Sequence, residues 1–293
     1  MKQACATAAR WATLTGFAAG RHTEMRMTTT IRLPIFVLVA GIVLLAATAR
    51  AQDDPALYQA TAVVTGTDMR QRPLGFAECL TEVLVKVSGV PRLRDEKAVA
   101  ELAGHADTFV DTFSYVDPRA WFLHHDDQGT YDRSYELTVH FNPARIDAAL
   151  AGLGVAPWRG PRPLLVPVII VRRDWSPFLL SAETPRGVEM RQTIVRLAAE
   201  YGMGVHFPTD DDLDAWGVGL IGVPAPLGAP DPAQLRITGS LSLDVKAMGW
   251  VGAWHVRLDG VEHEWQISGV DFDKAFADMV RGAVMLAHGT GTP

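Results

Sequence analysis

Cysteine is scarce in this 293-residue chain, with only Cys5 and Cys79 present. Cys5 precedes the export signal described below, so Cys79 is the single thiol of the mature chain and no internal disulfide staples the fold. Cys79 falls at helical spacing from Phe76 and Val83, beside an apolar face, which points to a buried, inert thiol. Catalytic signatures are equally short. No Gly-x-Ser-x-Gly elbow occurs, which removes the commonest acyl-transfer arrangement. His263-Glu264 lacks the second His of a zinc-protease helix and falls in a strand pattern. The apolar block Ile35–Ala47 is shorter than the roughly 20 residues that span a bilayer.

What that block does have is the form of a secretory signal. Residues 27–51 run from Met27 through Arg32 into the apolar block and end at Ala49-Arg50-Ala51, a small-x-small cleavage site before Gln52. The expectation is a periplasmic protein, exported by the general route and cleaved after Ala51. No Cys follows the site for lipid attachment, and no Arg-Arg pair precedes the block. A signal of this kind opens a chain, so Met25 or Met27 is the expected initiator and residues 1–26 an upstream extension. Export also argues against nucleotide-driven and nicotinamide chemistry.

Residues 1–51 hold six basic residues and one acidic, which leaves 242 residues with 21 basic and 32 acidic, a net charge of −11. Such a surface repels nucleic acid and anionic lipid, and its plainest consequence is solubility. That length suits two modest domains or one large one.

The hydrophobic patterning predicts an α+β fold of two domains, each a small mixed or antiparallel sheet with helices packed on it. The first covers 52–157. It opens with a strand over Tyr58–Thr65 and a helix over Arg72–Ser88, with Pro73 in its first turn, Gly89 at its end and Phe76, Leu80, Val83, Leu84 and Val87 as its stripe. A helix over Asp95–Gly104 and a strand over Phe109–Val116 follow. Ala120–His124 and Tyr131–Phe141 read as hairpin arms, and a helix over Pro143–Leu153 is capped by Asn142. Residues 158–163 form a Pro-rich linker. The second domain, 164–293, begins with the near-continuous apolar run Leu164–Val171, the pattern of a strand covered on both faces. A helix over Pro185–Tyr201, a short strand Val205–Phe207 and a short helix to Trp216, capped by Asp210 or Asp211, come next. Strands over Leu235–Val245, Val251–Leu258 and Val261–Ser268 lead to a helix over Phe272–Ala287. Asp259-Gly260 predicts a type I′ hairpin pairing Leu258 with Val261, Val256 with His263, Trp254 with Trp265, Arg257 with Glu262 and His255 with Glu264. One face is then apolar and the other opposes unlike charges; a one-residue slip would mix them. His263 is read as a structural residue on the apolar face.

Three motif-like stretches have simpler explanations. Gly217-x-Gly219-x-x-Gly222 copies the dinucleotide fingerprint as text, but a helix precedes it and a Pro-rich loop follows, the reverse of the context that brings helix amides to a phosphate. His124-His125-Asp126-Asp127 has metal-ligand types, yet neighbouring side chains in a strand point apart, and Asp126-Asp127-Gln128-Gly129 suits a turn. Asp210-Asp211-Asp212 with Asp214 lacks the Gly and distal Glu of a calcium loop and suits a helix start. Neither a metal nor another cofactor is expected.

Seven Trp lie beyond residue 51. Trp254 and Trp265 read as core. Trp158, Trp175, Trp216 and Trp250 lie near Pro or Gly and are the candidates for a partner-contact surface.

Leu84-Val85-Lys86-Val87-Ser88-Gly89 and above all Trp158-Arg159-Gly160-Pro161-Arg162-Pro163 resemble an exported Gram-negative family known only as domain-of-unknown-function family 2066. Tyr58, Val64, Arg72, Ala77, Leu80, Phe109-Val110, Tyr115 and Leu137–Phe141 extend the likeness, and Pro167-Val168 departs from it where an aromatic is expected. The resemblance implies export and assigns no catalytic residue. The order of elements in the second domain resembles that of curli-secretion and penicillin-binding-protein activator domains. The expected function is a non-enzymatic periplasmic protein, of assembly or activator type, that binds an envelope protein partner. It binds no nucleic acid and is not stably inserted in the membrane after cleavage. The competing class is a cell-envelope hydrolase acting on peptidoglycan or glycan.

Overall fold

The structure, a computed structural model, describes residues 54–121, 133–173, 175–222, 224–228 and 231–293. The signal segment, its cleavage site and His124–Asp127 lie outside the described residues.

A short 3-10 turn, Pro55–Tyr58, precedes strand β1, Gln59–Thr65. Helix α1 is Arg72–Ser88, with Pro73 in the first turn and Gly89 in the left-handed conformation at its end, its N–H donating to Val85 O. The expected stripe is wholly buried. Helix α2, Lys97–Ala103, is shorter than expected, because a separate 3-10 turn takes Pro91–Asp95. Strand β2, Val110–Val116, and strand β3, Ser134–Phe141, complete an antiparallel sheet of order β1-β3-β2. Here the hairpin expectation is corrected. Strand β3 pairs with β1 on one side and with β2 on the other, Tyr115 standing opposite Leu137, and Ala120 and Trp121 lie in a turn; residues 122–132 of the expected hairpin lie outside the described residues. Helix α1 covers the face carrying Ala60, Ala62, Val64, Leu137 and Val139, and Val63 stands exposed on the other. Helix α3, Pro143–Gly152, starts at Asn142, whose side chain accepts from the Arg145 N–H.

The larger sheet has order β5-β4-β6-β7-β8. Its strands are β4 (Leu164–Arg172), β5 (Phe178–Leu179), β6 (Gln234–Asp244), β7 (Gly249–Leu258) and β8 (Val261–Val270). Only β4 and β6 run parallel, from Leu164 opposite Gln234 to Arg172 opposite Ser242. Between them the chain forms α4, Val188–Ala199, and α5, Asp210–Ala215. Helix α6, Phe272–His288, lies across β6, β7 and β8 and against α4. The two-residue strand β5 was not legible in advance, having no room for a period.

Strand β4 is buried on both faces, as its composition predicts. Its outer cover comes from an irregular segment. The Arg236 guanidinium, near the amino end of β6, lies 4.0 Å over the Trp216 ring, and Arg172, at the carboxyl end of β4, donates to Gly222 O. Residues 216–222 therefore run along this face between two arginines.

The β7–β8 register is the predicted one, pair by pair, from Leu258–Val261 to Trp254–Trp265. Asp259 and Gly260 have φ of 50° and 79°, the two positive values a type I′ turn requires. Trp254 is fully buried because two glycines make room: a Cβ on Gly252 or Gly239 would lie 2.4 or 2.7 Å from its ring.

The Pro-rich segment is held from both sides. Trp158 N donates to Val87 O at 2.8 Å, and its ring lies over Gly89 and edge-on to His288, with centroids 4.9 Å apart. Arg162 stacks on that ring at 4.7 Å, and donates through Nε to Tyr201 O and through Nη2 to Lys86 O, each at 3.0 Å. Arg94 Nη2 and Glu200 Oε2, 2.8 Å apart, add a second link. Buried residues from both sheets accordingly join in one hydrophobic core, and Arg50–Pro293 is one compact unit. The stretch expected as a linker works as a packed junction within an α+β fold.

Candidate partner surface

Of the three motif-like stretches, Gly217–Gly222 and the acidic run at Asp210 lie among the described residues, and there the simpler readings fit the geometry. Gly217 follows the end of α5 with φ of 68°, and the described residues directly after Gly222, 224–228, form no helix. The acidic run starts α5, but the cap is Thr209 rather than Asp210 or Asp211. Thr209 Oγ1 accepts from the Asp212 N–H, and Asp212 accepts from the Thr209 N–H in return. Those bonds from Thr209 hold the Asp212 carboxyl below the usual carboxylate range. Among the described residues no group of three His, Cys, Asp or Glu side chains could hold a metal ion. Cys79 is fully buried, and burial pushes its thiol up to about 12. His263 lies opposite Val256 in the ladder, half-buried.

The four candidate tryptophans part company. Trp158 belongs to the junction, and Trp250 is buried edge-on to Phe272 with ring centroids 6.5 Å apart. Neither forms a surface. The glycines beside them allow close approach: a Cβ on Gly160 would lie 3.0 Å from Trp158 Nε1. Adjacent Gly therefore marks tight packing at both sites rather than a loop reaching solvent. Trp216 is half-buried under Arg236. Trp175 is 98% exposed.

Trp175 has neighbours that composition did not single out. It lies in the β4–β5 loop just beyond the carboxyl end of β4. Because Arg172 is opposite Ser242, the β6–β7 turn emerges at the same end, carrying Val245 and Met248, each 90% exposed. The Arg172–Gly222 hydrogen bond brings Ile221, 98% exposed, to that end as well. Leu220, next to Ile221, and Leu243, two residues before Val245, are half-exposed. Single exposed apolar residues are ordinary on a protein surface, but a group of them at one place marks an interaction site.

Polar anchors fix each loop from below. Arg186 donates to Ser176 O at 2.8 Å and stacks on Phe178 at 4.2 Å. Asp244 Oδ1 accepts from Lys246 N at 2.6 Å and from Ala247 N at 3.4 Å. Met248 takes φ of 53°, a left-handed conformation that costs a residue with a Cβ roughly 1–2 kcal/mol. Its side chain is 90% exposed at the last position of the turn nonetheless. An open groove of about 580 Å³ lies beside the loops, lined by Phe178, Leu179, Leu213, Val218 and Leu220, with Glu183, Asp210 and Asp214 among its polar residues. Glu183 Oε2 accepts from the Asp210 N–H at 2.6 Å, so this carboxylate is engaged with the start of α5.

Sequence reasoning missed Ile221, Val245 and Met248. The available signal was local: apolar residues beside Gly and turn residues, in Leu220-Ile221-Gly222 and Val245-Lys246-Ala247-Met248-Gly249.

No curated protein and no solved structure matches the chain. Residues 51–159 match the family described as Domain of unknown function (DUF8605), which agrees with the resemblance seen in the sequence at the level of a domain of unknown function.

Proposed function

We propose that this is an exported, non-enzymatic protein of the cell envelope that binds an envelope partner through the end of its larger sheet. The observation that carries the reading is the group of apolar side chains fixed at that end, Trp175, Ile221, Val245 and Met248, each at least 90% exposed. Export is supported by the signal pattern ending at Ala51 and by the resemblance to family 2066, which implies secretion across a Gram-negative inner membrane. The protein itself is taken to be of assembly or activator type. Among the described residues no helix is long and apolar enough to cross a membrane, which is compatible with a protein that acts without a stable insertion.

The test compares wild type with a variant carrying Trp175→Ser, Ile221→Ser and Val245→Ser, both expressed with the native leader. Wild type should sediment with the envelope fraction, and its mature form should begin at Gln52. The variant should be exported and folded but remain in the soluble periplasmic fraction. Equal sedimentation of the two would overturn the role of this surface, and a cytoplasmic full-length chain would overturn export.

A further inference from the structure

We propose that the occupant of this surface is the headgroup region of a phospholipid bilayer, on which the protein docks by its loop tips. The proposal rests on the reading above and names the class of partner.

Shape is the first argument. The four side chains stand almost free of the protein, on the tips of two loops and a third segment. A protein partner would need a hollow matched to each of them. A fluid bilayer accepts convex apolar tips without a complementary shape, and Trp in particular favours the zone between headgroup and acyl chain. None of the four side chains lines the open groove bounded by Phe178 and Leu220.

Charge is the second. Arg172 and Arg173 end β4, and Lys246 sits in the β6–β7 turn between Val245 and Met248. Asp174 and Asp244 are the acidic residues of these two stretches, and the Asp244 carboxylate accepts from the Lys246 and Ala247 amides. These two stretches are therefore slightly cationic in a mature chain with a net charge of −11, while the groove beside them holds Glu183, Asp210 and Asp214. The remaining acidic surface is screened at distances beyond about 8–10 Å from the membrane, so it orients the molecule without preventing contact. Arg or Lys near an anionic leaflet contributes about 1 kcal/mol each, roughly fivefold in affinity. Apolar contact leads, and charge adjusts it.

The rigid anchoring is the third. A tip enters a bilayer at no ordering cost only if it is already held in place. The Asp244 turn and the Arg186–Ser176 and Arg186–Phe178 contacts provide that, and Met248 keeps its apolar side chain exposed at a turn position where a glycine would be less strained.

The test uses the mature chain and vesicles of phosphatidylethanolamine with phosphatidylglycerol, compared with phosphatidylcholine alone. Wild type should co-sediment with the mixed vesicles, and lipids brominated on their acyl chains should quench part of its Trp fluorescence. The Trp175→Ser, Ile221→Ser pair should lower vesicle affinity at least about tenfold and abolish the quenching. Arg173→Gln and Lys246→Gln should each lower it about fivefold on anionic vesicles, with little change on phosphatidylcholine. Val63→Ser, on the exposed face of the smaller sheet, should bind as wild type. Circular dichroism of each variant verifies folding, which the exposure of the substituted residues favours. Absence of vesicle binding by wild type, or equal binding by the tip variants, would overturn the proposal, as would a tip-dependent dimer that forms without lipid and excludes vesicles. If wild type ignores vesicles yet still sediments with envelope fractions through its tips, the bilayer is excluded and a protein partner at the same surface is retained.

Discussion

Trp254 and Trp265 lie directly opposite each other in the β7–β8 ladder, on the face turned toward α6. Trp254 tilts against Phe276 with centroids 6.1 Å apart, and a Cβ on Gly282 of α6 would lie 2.5 Å from the Trp265 ring. Trp254 is fully buried and Trp265 half-buried. Trp254→Ala should therefore cost about 3–5 kcal/mol, and Trp265→Ala a smaller part of that. Arg257 and Glu262 pair on the opposite, solvent-facing side, so Glu262→Ala should cost at most about 1 kcal/mol. Urea denaturation of the three variants should give that order. A Glu262 variant weaker than the Trp254 variant would contradict it.

Arg162 couples the two sheets through Lys86 O and Tyr201 O. A lysine cannot supply the same planar fork. Arg162→Lys should destabilise by about 1–3 kcal/mol, since partly buried carbonyls lose their donor. Wild type should unfold in a single transition, because the sheets share a core. Two separated wild-type transitions, monitored by circular dichroism and Trp fluorescence, would contradict the junction role.

His288 packs edge-on against Trp158 near Arg162, and burial, then the Arg162 charge, holds its imidazole below the ordinary value of 6.5. Its Nδ1 is buried without a hydrogen-bond partner among the described residues. The neutral ring is the form the fold accepts. As pH falls the unfolded chain takes up this proton first, so the contribution is complete above about 6.5 and is lost as pH drops through the lowered folded value. Stability should thus rise with pH through the region just below neutrality. His288→Gln should remove that part of the slope, as measured by denaturation midpoints across the range.

Cys79 is fully buried with its thiol held near 12, so it should resist thiol reagents at neutral pH in the native state. The same reagent should label it in full once the chain is denatured. Rapid native labelling, timed by mass spectrometry, would indicate an opening of α1 from its sheet.

Several of these relationships were legible in the chain alone. Arg72–Ser88 announces its helix through Pro73, Gly89 and an apolar stripe at three- and four-residue spacing, because helix geometry is local. Asp259-Gly260 fixes the β7–β8 register, since a two-residue turn leaves no freedom of pairing. Leu164–Arg172 announces burial on both faces by composition. The acidic run at Asp210–Asp214 was recognisable as a helix start, although Thr209 rather than an aspartate caps it.

Tertiary structure alone decided the rest, because the relevant distances join residues far apart in the chain. Flanking Gly and Pro placed Trp158, Trp175, Trp216 and Trp250 in one class, yet Trp158 and Trp250 are buried while Trp175 is exposed. A glycine beside an aromatic permits either a loop or a close approach, and only the packing of Val87, Gly89 and His288 around Trp158 distinguishes them. The group formed by Trp175, Ile221, Val245 and Met248 depends on a parallel β4–β6 pairing across some seventy residues of sequence and on one arginine reaching Gly222. Local spacing determines elements and turns; long-range pairing determines which side chains share one end of a sheet.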